Sequence, residues 1–502
     1  DVLAPDERSR SFDEYLDRFH AAEKTGRALP HALETMLRPY QSEGVRWMNA
    51  LADMSLGGIL ADEMGLGKSV QLIAFLATRL EESRATAPSL IVCPASLVYN
   101  WTAEIERFAP DMKACAVAGT KQERNRARSR TDVDVFVTSY DLLRIDIKEY
   151  TQRAFFCCAL DEAQYVKNHG TLTARAVKRV KARHRFALTG TPVENRLSEI
   201  WSIFDFLMPG LFGSYMRFKE RFELDIVGGN EEAAQRLKSL IGPFMLRRLK
   251  ADVLRELPDK LESRVLVPMT RKQEKLYYAF EQHLRESLAE QRRSRKNTDA
   301  RRGANVEVLA ELMRLRRLCC DPRLVFDDYA ECGAKVEAIA DLVASAHNDC
   351  QKTLVFSQFT DFLSLIAEKL ASLGIAFYTI TGSTGQKQRM QLVDAFNADD
   401  TPVFLVSLKA GGTGLNLTGA SVVIHADPWW NAAAQNQATD RAHRIGQTRP
   451  VSVHRIIAKN TIEERIVALQ QAKTELADKV IGASDDAQAP LSEKDLLELL
   501  ER

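Results

Sequence analysis

The chain has 502 residues, which is too long for one hydrophobic core and predicts two to four domains. Its hydrophobic (45%) and charged (27%) fractions are typical of globular protein, and no stretch approaches the ~20 apolar residues of a membrane-spanning helix. The formal net charge of +1 at pH 7 gives no indication of a nucleic-acid partner. We expect an intracellular protein, and since Asp1 replaces an initiating Met, one that begins inside a longer chain.

Short apolar runs alternate with amphipathic stretches, a pattern typical of parallel α/β sheets. Strands are predicted in the first half at 58–61, 90–93, 135–138, 155–160 and 185–189. In the second half they are predicted at 353–356, 377–380, 403–406, 421–424 and 451–454. Helical spacing fills the intervening region, roughly 195–345. The predicted fold class is α/β, with two doubly wound parallel-sheet lobes and helical insertions.

These patterns also predict the domain boundaries. An N-terminal helical lead-in is predicted at 1–36, and a linker with a short C-terminal helix at 481–502. The first lobe is predicted at 37–257, with a helical protrusion at about 195–250. The second lobe is predicted at 258–480, with a helical protrusion at about 270–345. Ligands of such lobes bind at the carboxyl ends of the strands.

A phosphate-binding loop is predicted at 62–69, between a strand and an apolar helical run. Its glycines let backbone N–H groups face phosphates, Lys68 would reach the β- and γ-phosphates, and Ser69 would ligate Mg²⁺. Asp62 stands where the general pattern has its first glycine, so the strand–loop–helix setting supports the prediction more than the pattern does.

Two adjacent acids, Asp161 and Glu162, follow the apolar run 155–160. At the end of a strand, Asp161 would hold the metal and Glu162 would orient and polarise the attacking water. An ordinary acidic turn is the alternative, which the preceding apolar run and the upstream phosphate loop disfavour.

Arg441 and Arg444 lie near the other end of the chain, and their spacing of three predicts that they share one helix face. An arginine that reaches the γ-phosphate raises the rate of hydrolysis by roughly 10³- to 10⁵-fold where it operates. A solvated pair of charges is the alternative. If the first interpretation holds, hydrolysis requires both halves of the chain to close together.

Positive charge is also clustered at 121–130 and at 291–302. Each cluster is interpreted either as a solvated loop or as a phosphate-binding patch. The eight cysteines show no Cys-x-x-Cys spacing, which favours reduced, mostly buried thiols.

Taken in order, eight segments closely resemble the motifs of the SWI/SNF-type DNA-dependent ATPases, in a form nearer to bacterial members than to eukaryotic remodellers. These segments are 37–41, 62–69, 92–101, 161–164, 188–195, 355–358, 407–417 and 437–447. The resemblance spans about 37–466, and Asp62 is the residue that this family carries. One departure is Gln164, where many relatives have His. This position would couple the nucleotide to the other motifs. Because Gln still donates and accepts hydrogen bonds, we expect that coupling to be retained.

The resemblance implies two RecA-like lobes and the cofactors ATP and Mg²⁺. The catalytic residues would be Lys68, Asp161, Glu162, Arg441 and Arg444, and Mg²⁺ would be held by Ser69 and Asp161. The ATP-binding residues would be Arg38, Gln41 (reading the adenine), Asp62, Gly65, Leu66, Gly67, Lys68, Ser69, Gly414 and Gln437. Hydrolysis would be coupled to movement by Gln164, Thr189, Gly190 and Thr191.

The resemblance also implies a track for double-stranded DNA, contacted through backbone phosphates that carry no sequence information. On the first lobe its residues would be Pro94, Ala95, Ser96, Thr138 and Ser139. On the second lobe they would be Gln358, Gly382, Ser383, Lys409, Ala410, Gly411 and Thr413. Trp430 would either stack near this track, as exposed aromatics do on nucleic acid, or pack in the core.

The predicted function is an ATP-dependent translocase on double-stranded DNA that does not separate strands. We expect a monomer that acts on a DNA-bound protein cargo, has no membrane partner, and is cytoplasmic and nucleoid-associated if bacterial. Two alternatives stay open. One is a strand-separating helicase, including one on RNA-containing hybrids, or an RNA-polymerase-associated remodeller. The other is a DNA-binding scaffold with a vestigial ATPase, which the full set of catalytic residues disfavours.

Overall fold

The computed structural model of the chain describes residues 29–190, 197–254, 257–293, 300–411, 415–429 and 432–481. The chain forms two compact units, the first extending to Arg255 and the second beginning at Glu256. Each unit contains one parallel β-sheet, and each sheet has a hydrophobic cluster on either face. Burial on both faces is what a parallel sheet requires.

The first unit contains seven strands among its described residues. They are β1 (Gly58–Leu60), β2 (Ser89–Cys93), β3 (Ala114–Val117), β4 (Val135–Ser139), β5 (Ala154–Asp161), β6 (Lys181–Leu188) and β7 (Met245–Leu246). Their order across the sheet is β3-β4-β2-β5-β6-β1-β7. Strands β2 and β4 are buried at every position, which explains their continuous apolar sequences.

Helices cover both faces of this sheet. They are α1 (His31–Met36), α2 (Pro39–Asp53), α3 (Lys68–Thr78), α4 (Leu80–Thr86), α5 (Val98–Phe108), α6 (Lys121–Arg128), α7 (Tyr140–Ile145), α8 (Ile147–Thr151), α9 (Leu172–Arg179), α10 (Leu197–Leu207), α11 (Tyr215–Phe218), α12 (Leu224–Val227), α13 (Glu231–Ile241) and α14 (Lys250–Val253). Helices α10 to α13 share a small separate core around Trp201, Phe218 and Phe222. This core explains how the predicted insertion holds together.

The second unit contains six described strands. They are β8 (Lys260–Val267), β9 (Thr353–Ser357), β10 (Phe377–Ile380), β11 (Val403–Ser407), β12 (Val422–His425) and β13 (Val451–Ala458). Their order is β10-β11-β9-β12-β13-β8. The helices are α15 (Arg271–Arg293), α16 (Ala300–Cys320), α17 (Ala334–Asn348), α18 (Thr360–Ser372), α19 (Gln386–Ala398), α20 (Leu408–Gly411), α21 (Ala432–Thr439) and α22 (Ile462–Ile481).

The predicted α/β class is confirmed, and every predicted strand overlaps an observed one. No strand was predicted at β7 or β8: β7 lies inside the predicted helical protrusion at about 195–250, and β8 lies between the two predicted protrusions. Among the described strands, β8 pairs only with β13, at the edge of the sheet, and it is exposed at most positions. Its charged sequence therefore lacks the apolar signature of a buried strand. The domain boundaries themselves remain predictions. Nowhere in the described ranges is a helix both long and apolar enough to cross a membrane.

Candidate nucleotide site and nucleic-acid edges

The predicted phosphate loop joins β1 to α3 in the first unit. Gly65 and Gly67 have φ angles of 86° and 78°, which glycine adopts at little cost. A Cβ atom at Gly67 would lie only 2.5 Å from Gln41 Nε2, so a side chain there would displace the Gln41 amide. Helix α3 begins at Lys68, with Ser69 in its first turn. A glycine-rich loop leading into a helix N-terminus suits an anionic phosphate group.

The Lys68 ammonium is held by the loop itself. Its Nζ donates to the carbonyl oxygens of Asp62 at 2.6 Å and of Glu63 at 3.4 Å. A Cβ at Gly190 would lie 3.8 Å from the same Nζ, so the segment that follows β6 reaches the loop. Thr191, the next predicted coupling residue, lies outside the described residues.

The predicted adenine-binding segment contacts the phosphate loop directly. Gln41 Nε2 and the Tyr40 hydroxyl each donate to the Leu66 carbonyl oxygen at 3.0 Å. Gln41 Oε1 accepts from the Arg38 backbone N–H at 3.0 Å. Residues separated by 25 positions therefore form one contiguous candidate site at the start of α2 and α3.

Asp62 is fully buried, and its carboxylate is bonded from two sides. Arg248 Nε donates to Asp62 Oδ1 at 2.9 Å, and Arg248 Nη2 donates to Oδ2 at 2.5 Å. Gln71 Nε2 donates to Oδ2 at 3.0 Å. The prediction that Asp62 contacts ATP does not fit this arrangement. Instead Asp62 anchors the loop from within the protein.

Arg248 is a residue that the sequence analysis missed. Its guanidinium also lies over the Tyr40 ring, 5.1 Å from the centroid, and donates to the Tyr40 carbonyl oxygen. It therefore holds both the loop and the adenine-binding segment. The basic run 247–250 was the only feature of the sequence that indicated a role for Arg248. Asp62 and Arg248 are 186 positions apart, so no local sequence pattern predicts that they pair.

Replacing Arg248 with Met is expected to destabilise the first unit and weaken ATP binding. Removing one partner of a buried ion pair costs about 3–5 kcal/mol, because the remaining charge is left without compensation. For a unit of this size that corresponds to a fall in Tm on the order of 10 °C. Thermal unfolding and titration with a fluorescent nucleotide measure both effects.

Arg126→Met provides a matched control, since Arg126 is exposed on α6 of the same unit. The double variant Asp62→Asn with Arg248→Met should recover part of the lost stability, because no isolated charge remains buried. Wild-type stability in Arg248→Met would contradict the anchoring role.

The two acids lie at the end of a strand as predicted: Asp161 is the last residue of β5, and Glu162 follows it directly. Asp161 Oδ2 accepts from Trp101 Nε1 at 2.8 Å, and Oδ1 accepts from the Glu162 backbone N–H at 2.9 Å. Burial, and then the neighbouring charge of Glu162, raise the pKa of Asp161 to about 7. Glu162 has φ 51°, a left-handed conformation that is uncommon without glycine and is concentrated at functional sites.

A hydrogen-bonded chain connects these acids to the neighbouring strand. Gln164 Nε2 donates to Glu162 Oε2 at 2.8 Å, and Thr189 Oγ1 donates to Gln164 Oε1 at 2.9 Å. Gln164 therefore uses both its donor and its acceptor, which a neutral His could do as well. The structure brings together the predicted coupling residues that it describes.

The oxygen atoms available as metal ligands at this site fit a magnesium ion that also binds the nucleotide. The described residues include no group of three or more His, Cys, Asp or Glu side chains placed to hold a metal. Mg²⁺ commonly uses one or two protein oxygens together with substrate phosphates and water. The Ser69 hydroxyl and the Asp161 carboxylate are oxygen donors of that kind.

The predicted DNA residues of the first unit lie at the ends of two neighbouring strands, where Cys93 pairs with Ser139. Of the segment after β2, Ala95 is exposed, Ser96 is half-buried and Pro94 is buried. Two of the predicted phosphate contacts do not fit the structure. The Thr138 hydroxyl is buried and donates to Val117 O at 3.0 Å, and Ser139 is buried with its hydroxyl capping α7. Both hydroxyls thus stabilise the end of β4.

The corresponding residues of the second unit follow the neighbouring strands β9, β10 and β11. Gln358 comes directly after β9, Gly382 and exposed Ser383 come after β10, and Lys409, buried Ala410 and Gly411 lie in α20 after β11. Thr413, Gly414 and Trp430 lie outside the described residues. The carboxyl ends of three parallel strands therefore form one edge of this unit.

The prediction that Arg441 and Arg444 share a helix face is wrong. Helix α21 contains Gln437 but ends at Thr439, and both arginines lie in the turns that follow. Gln447 Nε2 donates to the carbonyl oxygens of Thr418, Ala420 and Ala442, which holds these turns against a neighbouring segment. Arg441 is mostly buried and Arg444 is half-buried.

The first basic cluster is partly structural. Arg124 and Arg128 both pair with the buried carboxylate of Asp146, and Arg130 pairs with Asp132. Because Asp146 is buried, Arg124 and Arg128 contribute to the packing of the first unit, whereas the Arg130–Asp132 pair lies at the surface. The side chains of the second cluster, 291–302, lie outside the described residues.

Residues 40–324 match the SNF2-related domain, and residues 334–446 match the helicase conserved C-terminal domain. Since the first match covers more than half of the chain, the chain belongs to the SNF2-related family. The predicted family, two-lobed α/β fold and enzyme class, a helicase-like ATPase, are therefore confirmed.

Two similar curated proteins are longer than this chain. An ATP-dependent helicase of Mycoplasma genitalium is 40% identical over 93% of this chain and 44% of its own length. The Bacillus subtilis protein YwqA, described as an ATP-dependent helicase/translocase, is 38% identical over 92% of this chain and 50% of its own length. The chain thus spans half or less of these relatives. The Sulfolobus solfataricus SWI2/SNF2 ATPase core, solved with double-stranded DNA, is 34% identical over 93% of this chain and 97% of that chain, with a TM-score of 0.45.

Proposed function

We propose that this chain is the motor of a translocase that hydrolyses ATP to move along double-stranded DNA without separating the strands. The observation that supports it most is the chain of hydrogen bonds from Glu162 through Gln164 to Thr189. It joins the acid beside the phosphate loop to the end of β6, so a change at the nucleotide is transmitted mechanically. The similarity to a relative described as a helicase/translocase supports movement on nucleic acid.

The nucleotide chemistry follows from the residues around the loop. Lys68 binds the β- and γ-phosphates, and the segment of Gln41 receives the adenine. Glu162 orients and polarises the attacking water. Ser69 and Asp161 hold Mg²⁺, which supplies positive charge that neutralises the phosphates. Arg441 and Arg444 complete the charge stabilisation from the second unit.

The DNA backbone is contacted along the two strand-end edges. Ala95 and Ser96 on the first unit, and Gln358, Gly382 and Ser383 on the second, offer backbone N–H groups and small polar side chains. Such groups bind phosphates and read no sequence. The chain acts as a monomer in the cytoplasm, on the nucleoid if bacterial, and displaces protein bound to the DNA.

Triplex displacement tests this proposal. ATP should release a third strand from a triplex, while a duplex strand and an RNA–DNA hybrid strand of equal length stay paired. Lys68→Ala is the matched control and should release nothing. Release of the duplex strand would support a strand-separating helicase instead, and release of the hybrid strand would support action on RNA-containing duplexes. Full cellular function of Lys68→Ala would support the scaffold alternative.

A further inference from the structure

The three tryptophans of the first unit use their indole N–H groups differently. Trp47 and Trp201 each donate to a backbone carbonyl oxygen at 3.2 Å. Trp101, which is buried, donates instead to a carboxylate, Asp161 Oδ2, at 2.8 Å. A buried indole has to place its single donor on an acceptor, and a charged acceptor makes the stronger hydrogen bond. Trp101 therefore restrains the side chain that is proposed to hold Mg²⁺.

Three oxygen atoms of Asp161 accept hydrogen bonds from within the first unit. Oδ2 accepts from Trp101, and Oδ1 accepts from the Glu162 backbone N–H at 2.9 Å. The backbone carbonyl oxygen accepts from the Tyr140 hydroxyl at 2.7 Å. A carboxylate oxygen can accept more than one bond, so each can still bind a metal ion. Because Tyr140 fixes the backbone and Glu162 fixes one carboxylate oxygen, the direction of the other oxygen depends on Trp101.

The helix that carries Trp101 begins at the predicted DNA edge of the first unit. Ala95 is exposed and Ser96 is half-buried, and both lie in a 3₁₀ turn at 95–97. Helix α5 starts directly after this turn, at Val98. A rigid helix carries energetic coupling from one place to another, so a shift of the turn displaces the Trp101 indole as well. Trp101 thus connects a predicted DNA contact with a predicted metal ligand.

We propose that Trp101 is a positioning residue that couples DNA bound at residues 95–96 to the orientation of the Asp161 carboxylate. DNA at this edge sets the position of α5, and the indole N–H then directs the carboxylate toward the metal and nucleotide. The inference rests on the proposed function. It adds a route that is separate from the hydrogen-bonded chain through Gln164, because that chain leads from the acids to β6 and not to the DNA.

Binding measurements test this role without hydrolysis. Two coupled sites change each other's affinity by the same factor, typically about 5- to 150-fold. In the wild-type protein, double-stranded DNA should tighten the binding of a non-hydrolysable fluorescent ATP analogue with Mg²⁺ by a factor in this range. The analogue with Mg²⁺ should tighten the binding of labelled DNA by the same factor. In Trp101→Phe, which removes the indole N–H, the factor should fall toward one.

Trp201→Phe is the matched control, because it removes an indole of the same unit that donates to a backbone carbonyl oxygen. Both variants leave a cavity and should lower the Tm, but only Trp101→Phe should lower the coupling factor. A coupling factor that falls no further in Trp101→Phe than in Trp201→Phe would overturn the proposal. If Trp101→Phe does not fold, Trp101→3-benzothienylalanine decides, since this analogue keeps the shape of the ring and lacks the N–H.

A double variant tests whether Trp101 acts through Asp161. In an Asp161→Ala background, Trp101→Phe should cause no further fall in the coupling factor, because residues that act through one another are not additive. Equal reductions in the wild-type and Asp161→Ala backgrounds would overturn the proposal.

The outcomes separate this inference from the proposed function. A wild-type protein whose rate of hydrolysis does not respond to double-stranded DNA would overturn both. If hydrolysis responds to DNA, a wild-type coupling factor of one, or a factor that Trp101→Phe leaves unchanged, would overturn the inference alone.

Discussion

Replacing Glu162 with Gln is expected to reduce ATP hydrolysis by about 10²- to 10⁴-fold, the range for loss of a positioned acid–base group. ATP binding should be preserved. Gln has the same shape and keeps an oxygen for the Gln164 amide, which donates at 2.8 Å in the native protein. The substitution also removes a charge that raises the pKa of Asp161, so the Asp161 carboxylate ionises more readily. Single-turnover hydrolysis and fluorescent-nucleotide titration separate the two effects.

Glu149→Gln is the control for this experiment, since Glu149 is exposed on α8 of the same unit. It should leave both hydrolysis and binding unchanged. A wild-type rate of ATP hydrolysis in Glu162→Gln would show that Glu162 does not take part in hydrolysis. Loss of nucleotide binding would assign it a structural role instead.

Replacing Arg444 with Ala is expected to abolish most DNA-stimulated turnover, by roughly 10³- to 10⁵-fold if it acts on the γ-phosphate. Nucleotide binding should be retained, because the phosphate loop and the adenine-binding segment belong to the first unit. Arg444 is half-buried in the turns after α21, outside the strands and helices of the second unit. ATPase rates at saturating ATP and DNA measure the loss.

Arg449→Ala provides the comparison at an exposed arginine close in sequence. Arg441→Ala, made in parallel, shows which of the two predicted arginines contributes more. Full turnover in Arg444→Ala would exclude this residue from the mechanism.

Local sequence was sufficient for the parts of the site that local chemistry determines. The phosphate loop was predicted because two glycines precede Lys68 and Ser69 between a strand and an apolar helical run, and in the structure Gly65 and Gly67 adopt the positive φ angles that glycine permits. The acid pair was predicted because an apolar strand, β5, ends at Asp161. In both places residues that are adjacent in sequence act together.

Sequence was insufficient where distant segments determine the structure. The anchoring of Asp62 by Arg248 and the hydrogen bond from Trp101 to Asp161 join separate elements through side chains that are distant in sequence. The turns at Arg441 and Arg444 replace a predicted helix because Gln447 bonds to carbonyl oxygens near Thr418, a tertiary contact with no local pattern. The closure of the two units around ATP remains a prediction.

The ATPase rate with and without nucleic acid tests the central claim most directly. Double-stranded DNA should raise the rate about tenfold or more, in the range typical of coupling between two binding sites. Single-stranded DNA and RNA should raise it far less, and Arg444→Ala should remove the response. A rate that is the same with and without double-stranded DNA would contradict the account.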